Sequence, residues 1–414
     1  RFTLDSSAIP PQFLYPATVE LPGIRYDRPY ADHTCLSSQK VIEQEDPLKS
    51  LHFGDTSDTY ALLSLDRSKS LRQHFNLTFQ FRTFYPNGLF FVGVKHKSTG
   101  GHCLTCSLND GRVMVSLMGE RAVDLTSSAT GLNDGGWHLV TIVKAEDKLF
   151  LYVDSSKVTQ TKAPRMKPVS KIYIGGYPAT GTDCFSNLIL KPDYFKGCMR
   201  EFVLNSMPYT FNDNNAFLHN VSPCFKEVQP GTFFKSGGYA IYSHNLTLGN
   251  LVEVALDFRS DARDGILLSF IPNGSSEYPT FTIFLQNGQV VAKETFNAVE
   301  SIEAREVFSE SGYVCNGEWH SVKANYEKGA ITLKVDSQSP KFAVDETVMR
   351  SDNHGHGFYV SGSLYIGGLE DGASPPTKKS QFHGCIRNIA INRQRKDWTD
   401  MAYLSNIVLN ACPL

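Results

Sequence analysis

"GGWHLVTIVKAEDKLFLYVD" runs from Gly135 to Asp154, and "GEWHSVKANYEKGAITLKVD" runs from Gly317 to Asp336. Each stretch opens on a turn rich in Gly, Asn or Asp and continues through Trp-His into an alternating strand. A charged turn follows, Glu146-Asp147-Lys148 in one and Glu327-Lys328-Gly329 in the other, and a second alternating strand ends in Val-Asp. Alternation of period two around a short polar turn is the signature of a β-hairpin. Two copies so far apart predict one module used twice.

The repeat extends in both directions. "LTFQFRTFYPNGLFFVGV" (77–94) corresponds to "VEVALDFRSDARDGILLSF" (252–270), and "LNDGRVMVSL" (108–117) to "LQNGQVVAKE" (285–294). "KIYIGG" (171–176) corresponds to "SLYIGG" (363–368), and "FKGCMREFVLN" (195–205) to "FHGCIRNIAIN" (382–392). Each copy ends at a cysteine, Cys224 or Cys412. Helical periodicity is nearly absent, and short strands punctuated by Gly, Asn and Asp predict one antiparallel β-sandwich per copy. The expected organisation is a linker over 1–47, a first module over 48–225 and a second over 226–414. Pro10, Pro11, Pro16, Pro22 and Pro29 mark the linker as an extended segment lying outside both sandwiches.

At 414 residues the chain is long enough for two cores, and its 41% hydrophobic content can fill them. It begins at Arg1 without a methionine and is expected to be a piece of something longer. The net charge of −2 conceals an asymmetry: residues 48–225 hold 19 Lys and Arg against 14 Asp and Glu, and residues 226–414 hold 17 against 21. A cationic first module fits a polyanionic partner. Nine cysteines lack the paired C-x-x-C sets of a zinc site, "CLTC" (103–106) being a lone one. Four N-x-S/T sequons, at Asn76, Asn220, Asn245 and Asn273, join the cysteines in predicting a secreted, disulfide-bonded glycoprotein.

Trp137, Trp319, His138 and His320 recur on strands and read as packing residues. With no G-x-S-x-G, no H-E-x-x-H, no phosphate-cradling loop and no repeated carboxylate pair, no enzyme is expected.

The doubled "G-x-W-H", "Y-I-G-G" and "F-x-G-C-[MI]-R", each with a cysteine about 27 residues later, resembles the laminin-G-like family of jelly-roll sandwiches. The layout is similar to the fourth and fifth modules that close laminin α chains. The resemblance implies an extracellular-matrix adhesion fragment of the basement membrane, joined to laminin β and γ chains in the full-length protein. It implies binding to acidic or sulfated cell-surface glycans: heparan sulfate proteoglycans, sulfatide or the dystroglycan glycan. The alternatives are a receptor-binding module of the neurexin or growth-arrest-specific/protein S type, and a structural spacer.

In that family a calcium ion held by hard oxygen ligands sits on the sandwich rim. At the counted ligand positions this chain has His102 and Lys167 in the first module, and Pro279 and Tyr359 in the second, with Glu277 and Asp352 nearby. No metal is expected in the first module, and Glu277 and Asp352 are the candidate ligands in the second. Around the substituted positions stand Lys95, His96, Lys97, Lys162, Arg165 and Lys171, which with His102 and Lys167 form the expected glycan-binding set. Ammonium and guanidinium groups there would hold sulfate or carboxylate by charge-assisted hydrogen bonds.

The repeat assigns the terminal pairs Cys198–Cys224 and Cys385–Cys412. Cys315 has no counterpart in the first copy, Cys35 is alone in the linker, and laminin relatives similarly tie this segment to the fifth module; Cys35–Cys315 is the bridge expected. Strand parity places Cys106 with Leu104 and Leu108 on the core face, as a free thiol, and Cys103 on the other face to reach Cys184.

Overall fold

The structure, a computed structural model, describes residues 35, 42–56, 58–65, 71, 73–94, 103–118, 122–166, 168–178, 184–185, 193–212, 216–249, 251–273, 280–297, 302–309, 313–327, 330–344, 360–370 and 381–414. The hairpin quoted above is its framework. His138–Ala145 and Lys148–Val153 pair antiparallel with Ala145 opposite Lys148, and Trp319–Glu327 pairs with Ala330–Val335 in the same way.

In the first copy, one sheet runs Thr159–Lys162, Lys148–Val153, His138–Ala145, Phe75–Arg82, Gly197–Leu204, Ser50–Phe53, Ser222–Pro223. The facing sheet runs Ala216–His219, Tyr60–Ser64, Lys171–Ile174, Gly88–Val94, Cys103–Asn109, Arg112–Met118, Val123–Thr126. Period-two alternation sends Phe75, Leu77, Phe79 and Phe81 into the space between them. There Phe79 stacks on Phe202 with centroids 5.3 Å apart, and Phe81 meets Phe90 at 4.4 Å. Gly88–Val94 is apolar throughout because both its faces are covered. Its outer face meets Tyr177, Phe185 and the Cys103–Cys184 bridge.

The second copy repeats the plan with one difference. A single 17-residue strand, Thr232–Leu248, pairs first with Gly384–Ile391 and then with Val360–Ile366, so it crosses from one sheet to the other. Its first-copy equivalent is broken into Ser50–Phe53 and Tyr60–Ser64.

Two glycine motifs have steric causes. The first Gly of each "Y-I-G-G" has φ +76°, and a Cβ there would fall 2.2 Å from the Phe53 ring at Gly175 and 2.1 Å from the Phe234 ring at Gly367. In "F-x-G-C", a Cβ on Gly197 or Gly384 would lie 2.3 Å from the Arg82 or Arg259 carbonyl oxygen. Only glycine fits these close approaches.

The end of the proline-rich segment departs from the sequence expectation: residues 42–46 do not lie outside the sandwiches. The Glu45 N–H donates to the Cys224 carbonyl and the Lys226 N–H to the Glu43 carbonyl, and Glu45 pairs with Arg200 at 2.6 Å. The free ladder edge at 224–226 captures this extended chain. The copies also touch at Asp55, a half-buried carboxylate that accepts from Ser222 Oγ at 3.0 Å and from the Leu409 N–H at 3.3 Å, beside His52 Nδ1 at 3.3 Å. Burial pushes its pKa up, but His52 and these donors more than offset that and hold it below the usual carboxylate range.

Disulfides join Cys35 to Cys315, Cys103 to Cys184, Cys198 to Cys224 and Cys385 to Cys412. Cys106 is free and faces the core with Leu104 and Leu108, where burial drives its thiol pKa well up.

Candidate functional site

The repeated Trp-His pairs have structural partners. His138 Nδ1 lies 2.8 Å from Asp154 and its Nε2 3.0 Å from Asp134, while the Leu139 N–H donates to Asp154 at 2.7 Å. In the second copy His320 meets Asp336 at 2.8 Å and Asn316 at 2.9 Å, and the Ser321 N–H donates to Asp336. The Asp that ends the hairpin thus holds Nδ1 of the His that begins it, and the turn residue four before that His, Asp134 or Asn316, holds Nε2. The guanidinium groups of Arg82 and Arg200 both lie over the Trp137 ring, at 4.7 Å and 4.0 Å, and that of Arg387 lies over Trp319 at 3.9 Å. Arg82 also donates to the Phe225 and Lys226 carbonyls, and Arg259 to that of Pro413. Each module is thereby fastened to its own exit segment. Burial brings the Arg82 guanidinium down to about 10, with Glu45 opposing and Arg200 adding to the drop.

The rim is assembled by strand register. Val94, the last residue of its strand, is paired with Cys103 on one side and Lys171 on the other, and the Ser170 N–H donates to the Val94 carbonyl. The strand ends that flank residues 95–102 and the end of the crossover from Thr159–Lys162 to Lys171–Ile174 therefore meet at one sandwich edge. Lys162 and Arg165 are exposed along that crossover, and Lys171 is half-buried where it re-enters the sheet. Lys95, His96, Lys97, His102 and Lys167 lie outside the described residues, as do Glu277, Pro279, Asp352 and Tyr359. The donor chemistry at the counted calcium positions remains that of an imidazole and an ammonium in the first module, a poor fit to a hard cation. Among the described residues no three His, Cys, Asp or Glu side chains gather as metal ligands would.

Beneath this rim stands a residue the sequence reading passed over. Lys144 is 1% exposed, and its ammonium donates to the Glu146 carbonyl. Burial lowers its pKa, and Asp147 only partly opposes this. Its position was readable: it lies six residues after His138, on the inward parity of the hairpin. The same place in the second copy is Tyr326, whose hydroxyl bonds to the buried Glu294 carboxylate. Glu294 is wholly buried and pairs with Arg305 at 3.1 Å. Burial, first, and then Glu294 push the Tyr326 hydroxyl pKa up. All four sequon asparagines, Asn76, Asn220, Asn245 and Asn273, are exposed.

Two tandem antiparallel β-sandwiches, each with a disulfide tying its late strand to its exit segment, define the class of fold. The model of the Laminin G domain matches residues 81–207 and 258–394, well over half of the chain, and the chain belongs to that family. It is 25% identical to human laminin subunit alpha-1 over 372 residues, covering 87% of this chain and 12% of that protein. It is 23% identical to mouse growth arrest-specific protein 6 over 392 residues, covering 88% of this chain and 56% of that one. Among solved structures, domains LG4-5 of the mouse laminin alpha1 chain superpose with a TM-score of 0.75 at 22% identity, over 90% of this chain and 98% of that one. The LG1-3 region of the laminin alpha2 chain gives 0.58 at 19% identity, over 89% and 67%. The layout is that of a tandem LG pair, and the chain spans about an eighth of the length of the laminin alpha-1 it matches.

Proposed function

We propose that this chain is a non-enzymatic adhesion unit of the extracellular matrix, with modules at 48–225 and 226–414, that binds acidic or sulfated glycans through the rim of the first module. Heparan sulfate proteoglycans, sulfatide and the dystroglycan glycan are the ligand class, and basement membrane is the setting. In a full-length laminin the β and γ chains would be its partners. One observation carries the reading: register brings the strand ends that flank Lys95, His96, Lys97 and His102 to the end of the crossover bearing Lys162, Arg165, Lys167 and Lys171. Exposed cations fix sulfate weakly, at about 1 kcal/mol or less per contact, so affinity comes from several contacts and from multivalency. Positions taken by His102 and Lys167 leave the rim able to attract an anion without recruiting an ion.

Heparin chromatography tests this. Retention should survive EDTA, fall steeply with salt, and drop in a Lys162→Ala/Arg165→Ala variant and further when Lys95, Lys97 and Lys167 are also replaced. Retention abolished by EDTA, or unchanged in both variants, defeats the proposal. Binding to a protein receptor with little salt dependence would favour the growth-arrest-specific type, the kind of relative that the 88% overlap brings in.

A further inference from the structure

The outer face of the first module carries an aromatic surface that the rim does not use. Ala216–His219 is the edge strand of its sheet and pairs with Tyr60–Ser64, placing His219 opposite Tyr60 and Phe217 opposite Leu62. Tyr60 lies 5.1 Å from the His219 ring, 6.2 Å from Phe217 and 5.8 Å from Tyr173, and Phe217 and His219 are within 15° of parallel. Phe217 is 55% exposed, the most exposed phenylalanine ring of this copy. Polar groups border the rings on one side. Asp58 lies 3.1 Å from His219 Nε2 and accepts from the Asn220 amide at 2.8 Å and from Thr56 Oγ1 at 3.0 Å. Exposed ring faces beside a carboxylate are the chemistry that holds a pyranose, whose C–H face packs on the rings while its hydroxyls donate to the acid.

The occupant is indicated by the border itself. Asn220-Val221-Ser222 is a sequon, and the Asn220 amide nitrogen lies 3.4 Å from His219 Nε2. Asn220 has φ +50°, in the left-handed region asparagine tolerates, so the chain turns there and the side chain meets the end of the ring row. The amide has two N–H groups. Attachment consumes one: its nitrogen bonds to the anomeric carbon of a pyrophosphate-linked oligosaccharide donor, and the lipid pyrophosphate leaves as the amide proton is lost. The other N–H remains for Asp58. The second copy has Tyr239 and Tyr403 paired at 5.8 Å on the corresponding strands, but no sequon in Tyr403–Val408. Of the two edge strands, Ala216–His219 is the one followed by a sequon, and it carries the larger ring cluster.

We infer that an N-linked glycan on Asn220 folds back onto Tyr60, Phe217 and His219, so that the protein's own sugar covers this face. The full chain, secreted from mammalian cells, tests it through a site-resolved time course of peptide-N-glycosidase F release under native conditions. Asn220 should be occupied and released more slowly than the glycan on Asn76, which stands on an exposed strand position without a ring cluster. One ring contact as the scale gives between about twofold and tenfold. Phe217→Ser should abolish the difference and Phe217→Tyr preserve it. The comparison of Asn220 with Asn76 within one molecule stands even where the serine variant is not secreted. A bare Asn220 overturns the inference, as does equal release at Asn220 and Asn76 in the unaltered protein. A bare Asn220 with free hexose bound at Phe217 would also overturn it, by making the face a receptor for foreign sugar.

Discussion

The two copies share a hairpin, a clamp and a core, yet beneath their rims they solve the same burial problem with opposite chemistry. At the sixth residue after the hairpin histidine, the first copy buries Lys144 and the second half-buries Tyr326, whose hydroxyl bonds to the buried Glu294. Across the first sandwich the register sets Leu117 against Val123; at the matching position of the second it sets Glu294 against Arg305. The first copy thus has apolar strands and one lysine below a basic rim, and the second has a closed Glu–Arg–Tyr network. The difference teaches that the period-two frame constrains hydrophobic positions only as far as the last strand turn. At the sandwich end a polar group is tolerated in any chemistry that finds a partner.

The copies also differ in their staples, and removing these gives the largest expected effect. Cys315 belongs to the second copy alone and is tied to Cys35 across a separation of 280 residues, whereas Cys103 and Cys184 close 81 residues within the first. On the chain-entropy scale the Cys35→Ser/Cys315→Ser variant loses up to about 5 kcal/mol, and the Cys103→Ser/Cys184→Ser variant less. Scanning calorimetry should show the first loss in the transition of the second module and the second loss in that of the first. A loss shared equally by both transitions would mean that the copies do not unfold as separate units.

Next in size is the buried ion pair. Arg305→Ala removes the charge opposite the Glu294 carboxylate, which keeps the hydrogen bond from Tyr326, and should cost about 3–5 kcal/mol in chemical denaturation. A Glu294→Leu/Arg305→Val double variant gives the second copy the residues of the first and should regain most of that loss. If the double variant is as unstable as the single one, Tyr326 and its surroundings need the carboxylate, and the two ends are not interchangeable.

The smallest effect is a pH dependence. The folded pKa of Lys144 lies below its ordinary 10.5, so the unfolded chain binds more protons between the two values. Stability contributed by this site therefore rises with pH as the folded pKa is passed, and the penalty is fully present at lower pH. Denaturation of the wild type and of Lys144→Met followed from pH 7 to 10.5 should converge toward the alkaline end. Parallel curves would show that the ammonium is not desolvated in the folded module.

Much of the fold was legible in the chain. Alternation marked strands, Gly in "Y-I-G-G" and "F-x-G-C" marked places where backbone meets ring or carbonyl, and parity separated Cys103 from Cys106. Each is a short-range property, because side chains two apart share a face whatever lies beyond them. The docking of residues 42–46 lies beyond this logic: nothing in them reveals that the edge at 224–226 is free to pair with them.

What the sequence by itself determined is the period, the turns, the duplication and the chemistry available at each position, including the basic loops of the first rim. Only the tertiary structure decided which of those groups meet. It set Lys171 against Val94 and Cys103, brought Tyr60 and Asp58 to Phe217 and Asn220 across some 160 residues, and enclosed Lys144 and Glu294. The physical reason is that a strand's hydrogen bonds accept any neighbour. The choice of neighbour, and with it the burial of each ionisable group, is made by the packing of whole sheets.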